Sequence, residues 1–291
     1  MTVALIDNGS LVPAATGNLR VIAAELSVLI ETTVHAVSWK HSDRIPLAAL
    51  DGDSPGTTLV PFVRSQLALG ERHFVFAPFF ISAQGAIGSA LRSDLETLQQ
   101  EHAETPFAFT FTPGLADAGV IAQIVAARVR ETISVASLDP PPVLVVDHGG
   151  PSPASAALRN RLAGDVRALL GSEVLSVTAA SMEGGAHAHN HPLLADALAA
   201  LSAHTASPPP AHTASPPPAH TDVVVALLFL SPGRHAGPGG DIAQICGATE
   251  AAHPSLCCHL TDLVGTHPLA APALAAALQN TLSNLHDPNL A

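Results

Sequence analysis

The sequence predicts an α/β protein made of two similar lobes, each a small parallel sheet flanked by helices. Short apolar runs rich in β-branched residues alternate with longer Ala- and Leu-rich segments of helical periodicity, and this alternation is typical of βα units on a parallel sheet. The second observation is internal repetition, because the order of the segments and several motifs recur in the second half of the chain. Two copies are too few for a solenoid, so we expect a pseudo-symmetric pair of lobes.

The first half contains four predicted strand–helix pairs. The strands are predicted over residues 3–6, 34–38, 73–81 and 107–111. The helices that follow them are predicted over residues 18–30, 56–68, 88–102 and 118–135. These pairs define a first lobe over residues 1–138.

The pattern restarts after a proline-rich break, LDPPP, at residues 138–142. Strands are then predicted over residues 143–146, 173–179, 222–230 and 255–261. Helices are predicted over residues 154–170, 192–202, 241–252 and 268–285. Because proline interrupts helices and sheets, we interpret the break as a linker and place a second lobe at residues 143–291.

Two pairs of motifs carry the repetition. IDNGSLVPA (residues 6–14) aligns with VDHGGPSPA (146–154) at an offset of 140, and FAPFFIS (76–82) aligns with VALLFLS (225–231) at an offset of 149. The octapeptide HTASPPPA occurs twice in tandem at residues 204–211 and 212–219, which accounts for most of the added length. We therefore predict an exposed Pro- and His-rich insertion at residues 204–221.

Composition excludes several functions for this chain of 291 residues. It has 12 Lys and Arg against 24 Asp and Glu residues and a net charge of −12, so it repels phosphate backbones and we expect no nucleic-acid partner. The three cysteines lack CxxC spacing, and neither a P-loop nor GxGxxG follows the first strand, which argues against an iron–sulfur cluster and a nucleotide. We expect no leader, no membrane segment and a cytoplasmic location.

Three residues of the second lobe follow neighbouring predicted strands. His148 comes after the first strand, Glu183 after the second, and His235 after the third. The carboxyl ends of parallel strands meet at one edge of a sheet, so these side chains can converge. Two imidazoles and a carboxylate suit a divalent first-row metal ion.

The first lobe lacks these imidazoles. At the observed offsets His148 aligns with Asn8, His235 with Ala86, and Glu183 with Asp43. A structural role would require histidines in both lobes, so their presence in one indicates a single functional site.

The motifs around these residues resemble those of the class II tetrapyrrole chelatases. The resemblance is carried by DHGG with PSPASAALRNRLAG, by ASMEGG, and above all by VVVALLFLSPGRHAGPGGDIAQIC. VALIDNGSLVPAAT and VSWKHSDRIPLAALDG are similar to the degenerate N-terminal repeat of the long, fused cobalamin-biosynthesis type. One position departs from the family, where the first motif usually ends HGS, because Gly150 stands here in place of the serine.

The resemblance implies an ATP-independent lyase that inserts a divalent metal into sirohydrochlorin or a related reduced tetrapyrrole. We favour Co²⁺ as the metal substrate, with Fe²⁺ and Ni²⁺ as alternatives, and expect no nucleotide cofactor. In that family the histidines matching His148 and His235 bind the incoming metal, and the acidic residue matching Glu183 assists. Imidazole suits this task because it can hold an ion and accept a proton near pH 7.

A tetrapyrrole with many carboxylates requires local cations on an acidic protein. Arg234 is our first candidate because it precedes His235, and Arg159 and Arg161 are second choices. Gly149 and Gly233 flank the two histidines, where a missing side chain would let a flat ligand approach the backbone.

Two alternatives stay open at the level of the sequence. The protein could be a metal or tetrapyrrole carrier without turnover, and it could be a monomer with pseudo-twofold lobes or a weak homo-oligomer. The His-rich HAHNH (187–191) and the histidines of the proline-rich repeat could collect metal, although we favour a neutral expansion.

Overall fold

The computed structural model describes residues 1–50, 54–81, 86–205 and 221–286. It contains two four-stranded parallel sheets flanked by helices, which confirms the predicted α/β class and the pair of similar sheets. Each predicted strand and helix is present, with ends that differ by a few residues.

The first sheet has the strand order β2-β1-β3-β4. Its strands are β1 (Thr2–Asp7), β2 (Val34–Ser38), β3 (His73–Pro78) and β4 (Ala108–Phe111). The helices of this half are α1 (Pro13–Leu29), α2 (Leu59–Ala68), α3 (Ala86–Glu101) and α4 (Ile121–Ala136). Every residue of β1 is buried, because a central parallel strand is covered on both faces.

The second sheet repeats this arrangement with the order β6-β5-β7-β8. Its strands are β5 (Pro142–Asp147), β6 (Ser176–Ser181), β7 (Thr221–Leu227) and β8 (Leu256–Leu260). Its half of the chain contains the helices α5 (Pro153–Leu170), α6 (Leu194–Thr205), α7 (Asp241–Ala252) and α8 (Ala270–His286). The central position of β5 brings the loops after β6, β5 and β7 to one edge of the sheet.

The chain divides by contacts into two compact units. The first contains Met1–Ile121, Leu230–Gly233 and the segment from Gly265 through α8; the second contains Ala122–Phe229 and Arg234–Val264. Consequently α8 packs on α1 in the first unit, and α4 belongs to the second unit from its second residue onward. The predicted lobe boundaries at residues 138 and 143 come from the sequence repeats and do not coincide with these units. The division into lobes 1–138 and 143–291 stays a prediction.

Each sheet has its own apolar core. In the first unit the core is rich in aromatic rings, and Phe74 packs edge-on against Phe107 with ring centroids 5.5 Å apart. In the second unit the core is mainly aliphatic, with Val223 and Val225 of β7 at its centre. Burial of such side chains contributes about 1.5–3 kcal/mol each, which fixes the strands and therefore the loops at their ends.

Two further observations bear on the sequence predictions. None of the helices in the described ranges combines the length and apolar character that crossing a bilayer requires. Residues 206–220 of the predicted insertion, and the side chains of His204, His212 and His220, lie outside the described residues.

Candidate active site

The three residues singled out in the second lobe lie in loops that follow neighbouring strands. His148 comes directly after β5, Glu183 lies two residues beyond β6, and His235 lies in the segment between β7 and α7. Because β5 is hydrogen-bonded to both β6 and β7, all three loops leave the same edge of the sheet. The order of the strands therefore accounts for the proximity of residues that are far apart in the sequence.

The structure brings the two imidazoles together. The ring centroids of His148 and His235 lie 4.6 Å apart and the rings are nearly perpendicular, at 85°. Nε2 of His148 lies 3.5 Å from Oε1 of Glu183. The side chains of His148 and Glu183 are 45% and 59% exposed, so the cluster is open to solvent and to an incoming ligand.

The hydrogen bonds of the two imidazoles determine which nitrogen faces the cluster. Nδ1 of His235 lies 2.7 Å from Oδ2 of Asp241, and Nδ1 of His148 lies 2.9 Å from the carbonyl oxygen of Gly149. Both partners are acceptors, so each Nδ1 carries the proton and donates it. Both Nε2 atoms then present a lone pair, which is the arrangement of metal-binding histidines whose second nitrogen donates to an oxygen.

Asp241 was not among the residues predicted from the sequence. This residue is the first of α7, where a negative charge also interacts favourably with the positive end of the helix dipole. An acidic residue opening the helix that follows a candidate histidine is the signal that could have identified it. Its contact with His235 orients that ring.

Gly149 allows the loops after β5 and β6 to pack closely. Its φ is +83°, and a Cβ at this position would lie 2.1 Å from the carbonyl oxygen of Glu183. The main-chain N–H of Glu183 donates to the carbonyl oxygen of His148 at 3.1 Å, so the same contact sets the His148–Glu183 pair. Gly150 has φ +153°, a conformation that favours glycine and that gives a physical reason for glycine where the family usually has serine.

Arg234 is open to solvent. Its side chain is 81% exposed and its Nε lies 3.6 Å from Oδ2 of Asp241, so the rest of the guanidinium group is accessible to an anion. Gly233 precedes it, and a Cβ there would meet no described atom within 4 Å. The substrate-binding roles of Arg234, Gly233 and Gly149 stay predictions.

Arg159 is buried and not available to a substrate, so its prediction as a second-choice partner of a substrate carboxylate was wrong. The residue is 2% exposed, and its Nη1 lies 3.3 Å from Oδ1 of Asp147 and donates to the hydroxyl of Ser181. Its Nη2 donates to the carbonyl oxygen of His189 at 3.0 Å. Arg159 therefore joins the ends of β5 and β6 from inside the protein, whereas Arg161 is exposed on α5.

The first-lobe counterpart of Glu183 is Lys40, not Asp43 as the offset of 140 predicted. The main-chain N–H of Lys40 donates to the carbonyl oxygen of Asn8 at 3.3 Å, just as that of Glu183 donates to His148. The offset between the lobes has grown to 143 by this point because the intervening segments differ in length. The first lobe therefore has an amide and a cation where the second has an imidazole and a carboxylate.

The HAHNH segment packs on the loop after β5. His189 Nε2 lies 2.9 Å from the carbonyl oxygen of Gly150, and Asn190 Nδ2 donates to the same oxygen at 3.0 Å. The rings of His187 and His189 stack with centroids 5.3 Å apart. These contacts give His189 and Asn190 a structural role, and a role of the segment in collecting metal stays a prediction.

Comparison with solved structures identifies the fold. SirB from Bacillus subtilis with Fe³⁺ matches with a TM-score of 0.64 at 14% identity, over 98% of this chain and 97% of that chain. SirB from Bacillus subtilis subspecies spizizenii in complex with cobalt, a sirohydrochlorin chelatase, matches with a TM-score of 0.61 at 14% identity over the same shares. CbiX, described as the terminal enzyme of siroheme biosynthesis in denitrifying bacteria, matches with a TM-score of 0.57 at 15% identity, over 96% of this chain and 99% of that chain.

Comparison of the sequence itself does not identify a family. No protein-family model matches the chain, and no curated protein matches its sequence. The structural similarity extends over nearly the whole chain in each case, and it agrees with the motifs DHGG, ASMEGG and LFLSPGRHAGPGG. The chain therefore has the fold of the class II tetrapyrrole chelatases, as its sequence motifs predicted.

Proposed function

We propose that this protein inserts a divalent first-row metal, with Co²⁺ favoured, into sirohydrochlorin or a close relative without using a nucleotide. The observation that carries the proposal is the pair of imidazoles of His148 and His235, 4.6 Å apart and beside Glu183. The sirohydrochlorin chelatase SirB and CbiX, a terminal enzyme of siroheme biosynthesis, share the fold, and SirB structures hold Fe³⁺ or cobalt. These neighbours support the substrate class but leave the choice among Co²⁺, Fe²⁺ and Ni²⁺ to experiment.

Metal insertion requires a site that holds the ion only loosely. A closed set of four protein ligands traps a metal, whereas an incomplete set leaves coordination positions for incoming atoms. Nε2 of His148 and Nε2 of His235, with a carboxylate oxygen of Glu183, would form an incomplete set of this kind once the side chains rotate toward an ion. The exposure of the cluster lets the nitrogens of the macrocycle reach the ion while the imidazoles still hold it.

Insertion of M²⁺ releases two protons, because two pyrrolic N–H groups are exchanged for metal–nitrogen bonds. His148 is placed to accept one of them at Nε2 once that atom no longer binds the ion, and the other passes to solvent water, to which the cluster is open. The resulting N–H lies 3.5 Å from Oε1 of Glu183, so the carboxylate stabilises the imidazolium and passes the proton to solvent. His235 keeps its Nδ1 proton bound to Asp241 and holds the metal during this exchange.

Substrate binding relies on local positive charge. Arg234 extends into solvent next to His235, where its guanidinium can bind a carboxylate of the tetrapyrrole in a bidentate manner. The missing side chain at Gly233 leaves open space in which a flat macrocycle can approach the main chain next to Arg234, whereas the space at Gly149 is filled by the carbonyl oxygen of Glu183.

An anaerobic absorption assay tests the proposal. Sirohydrochlorin and excess Co²⁺ are mixed with protein at a small fraction of the tetrapyrrole concentration, and the spontaneous insertion rate is subtracted. We expect many turnovers per protein molecule for the wild type and none above background for His235→Ala. His253→Ala, which removes a histidine at the end of α7, is the matched control and retains full activity. A single stoichiometric spectral change would instead identify a carrier.

We also propose a cytoplasmic enzyme that acts as a monomer or a weak homo-oligomer. The three cysteines are free thiols, which is typical of proteins from reducing compartments. Because the chain already contains two chelatase-like sheets, it does not need a second copy to supply the pairing of lobes.

A further inference from the structure

The second unit contains another cluster of metal-binding side chains, separate from the candidate active site. Asp222 lies in β7, and Cys257 and His259 lie in β8. A carboxylate oxygen, the sulfur and an imidazole nitrogen of these three residues all lie within 4.8 Å of one another. None of the residues proposed for the chelatase reaction belongs to this cluster.

The register of the sheet explains why these side chains share one face. Asp222 pairs with Cys257 and Val224 pairs with His259 in the parallel ladder. Side chains alternate between the two faces of a strand, so Cys257 and His259 point the same way and Asp222 lies beside them. β8 is an edge strand, and all three residues are partly exposed, so an ion can enter from solvent.

The cluster is remote from the candidate active site. Asp222 is the second residue of β7, whereas His235 lies beyond the carboxyl end of that strand. At about 3.3 Å per residue, the strand from Asp222 to Leu227 alone spans about 16 Å. One ion cannot contact both sets of residues.

The existing geometry is close to that of a bound ion. Tetrahedral bonds of about 2.0–2.3 Å to S, N and O place ligand atoms about 3.3–3.8 Å apart. Nε2 of His259 and Oδ1 of Asp222 lie 2.8 Å apart in a hydrogen bond, and a bound ion would replace this hydrogen bond and move the two atoms slightly apart. The carboxylates of Asp222 and Glu250 both lie near Cys257, and their negative charge favours a cation at this place.

We propose that Asp222, Cys257 and His259 form a second metal site that binds a late first-row divalent ion of the Zn²⁺ and Co²⁺ type. One thiolate, one imidazole and one carboxylate are the donors that such borderline ions prefer. Three protein ligands leave one tetrahedral position for water. Because this site retains a thiolate, it holds its ion more firmly than a sulfur-free set and does not pass it to a tetrapyrrole.

A titration of the protein with Co²⁺ tests this site directly. The titration contains no tetrapyrrole, and a phosphine reductant keeps the thiols reduced. A cobalt–thiolate bond produces a charge-transfer band in the near ultraviolet, and tetrahedral Co²⁺ gives strong visible bands. His148, His235 and Glu183 contain no sulfur, so the charge-transfer band does not report on the candidate active site, and the cysteine variants below identify which thiol produces it. We expect one equivalent of this band in the wild type, unchanged in a His148→Ala/His235→Ala variant and displaced by Zn²⁺.

Cys257→Ala and Cys258→Ala form a matched pair of variants. The two residues are adjacent in β8 but face opposite sides of the sheet, and the thiol of Cys258 contacts that of Cys246. We expect Cys257→Ala to lose the band and Cys258→Ala to keep it. Absence of the band in the wild type, or its survival in Cys257→Ala, overturns the proposal; loss only in Cys258→Ala assigns the metal to the other thiol pair.

Two further variants test the three-residue metal site if Cys257→Ala does not fold. Asp222→Asn and His259→Ala keep the thiol, and each should weaken Co²⁺ binding at least tenfold. Wild-type affinity in both variants contradicts the three-residue site. The result is independent of chelatase activity, since the titration contains no tetrapyrrole.

Discussion

Nδ1 of His235 lies 2.7 Å from Oδ2 of Asp241, the first residue of α7. The contact fixes the proton on Nδ1 and leaves the lone pair of Nε2 available to bind a metal. It also couples the candidate metal ligand to a helix, which is more rigid than a loop. Asp241 is therefore a positioning residue for the proposed reaction, although it does not itself reach the metal.

Asp241→Asn should lower metal affinity and chelation rate by about 10- to 100-fold. The amide removes the charge that stabilises the ring, and its NH₂ group can favour the wrong tautomer of His235. The measurement is Co²⁺ affinity together with the pH profile of insertion. Asp196→Asn, which removes an exposed first-turn carboxylate from α6, should leave both unchanged. If the two variants lost Co²⁺ affinity and insertion rate equally, Asp241 would act only by stabilising the start of its helix and not by orienting His235.

Glu183→Gln should separate proton removal from substrate binding. The change retains the shape of the side chain but removes the charge that stabilises protonated His148, so we expect kcat to fall by about 100-fold with little change in KM for the tetrapyrrole. Steady-state absorption kinetics at several pH values measures both constants. Glu25→Gln, an exposed position on α1, is the control. A rise in KM at constant kcat would instead make Glu183 a substrate contact.

Most of the fold could be predicted because each strand and helix has a local signal. Apolar runs and helical periodicity depend on neighbouring residues, so they survive in a single sequence. His148, Glu183 and His235 could be found for the same reason, since each follows a recognisable strand. Their proximity then required only that adjacent strands end at one edge of the sheet.

The remaining features depend on contacts between distant segments. Lys40 could be matched to Glu183 only through the main-chain hydrogen bonds, because a constant offset ignores insertions in the loops. Arg159 could not be recognised as buried, since its burial depends on Asp147 and Ser181, which belong to two different strands. Helix periodicity places such an arginine on a face but does not reveal its partners.

Two equivalent aspartates, one in each lobe, have different surroundings. We therefore expect replacement by asparagine to change the free energy of unfolding in opposite directions at the two positions. Asp7 and Asp147 end β1 and β5, next to Ser38 and Ser181 respectively. In the second lobe Arg159 lies against the carboxylate. Helices α1 and α5 both begin at a proline, 140 residues apart, so Leu19 takes the place of that arginine in the first lobe.

Asp7→Asn should stabilise the protein at pH 7 by about 2–3 kcal/mol. Burial raises the pKa of Asp7 to about 6 from 3.8, so the folded state keeps a proton that the unfolded chain releases near pH 4. The free energy of unfolding of the wild type therefore falls by this amount as the pH rises from about 4 to about 6. The variant has no carboxyl group at this position, so its free energy of unfolding does not fall for this reason. Urea unfolding at pH 4 and pH 7 measures the difference, which should vanish at the lower pH.

Asp147→Asn is the matched control and should act in the opposite direction. It leaves buried Arg159 without its carboxylate partner, which costs about 2–3 kcal/mol at pH 7. If Asp7→Asn destabilises the protein by a similar amount, the first-lobe carboxylate is paired in solution and the assigned effect of burial is wrong.

Asn190 connects the loops that carry His148 and Glu183. Its side chain is 1% exposed, and its Nδ2 donates to the carbonyl oxygens of Gly150 and Gly184 at 3.0 and 2.9 Å. Asn190→Ala leaves two carbonyl groups without this donor, so we expect a loss of about 1–3 kcal/mol and weaker Co²⁺ binding. Thermal unfolding and metal titration measure the two effects.

Gln244→Ala provides the comparison for Asn190→Ala. Gln244 also donates its amide to a glycine carbonyl, that of Gly239 at 2.9 Å, but it does so at the surface, where its loss should cost less than about 0.5 kcal/mol. The two variants separate a buried connection from a solvated one. If Asn190→Ala lowers stability but leaves Co²⁺ affinity intact, the loops keep their positions without the amide, and the spacing of His148 and Glu183 is set by the main-chain contact at Gly149 alone.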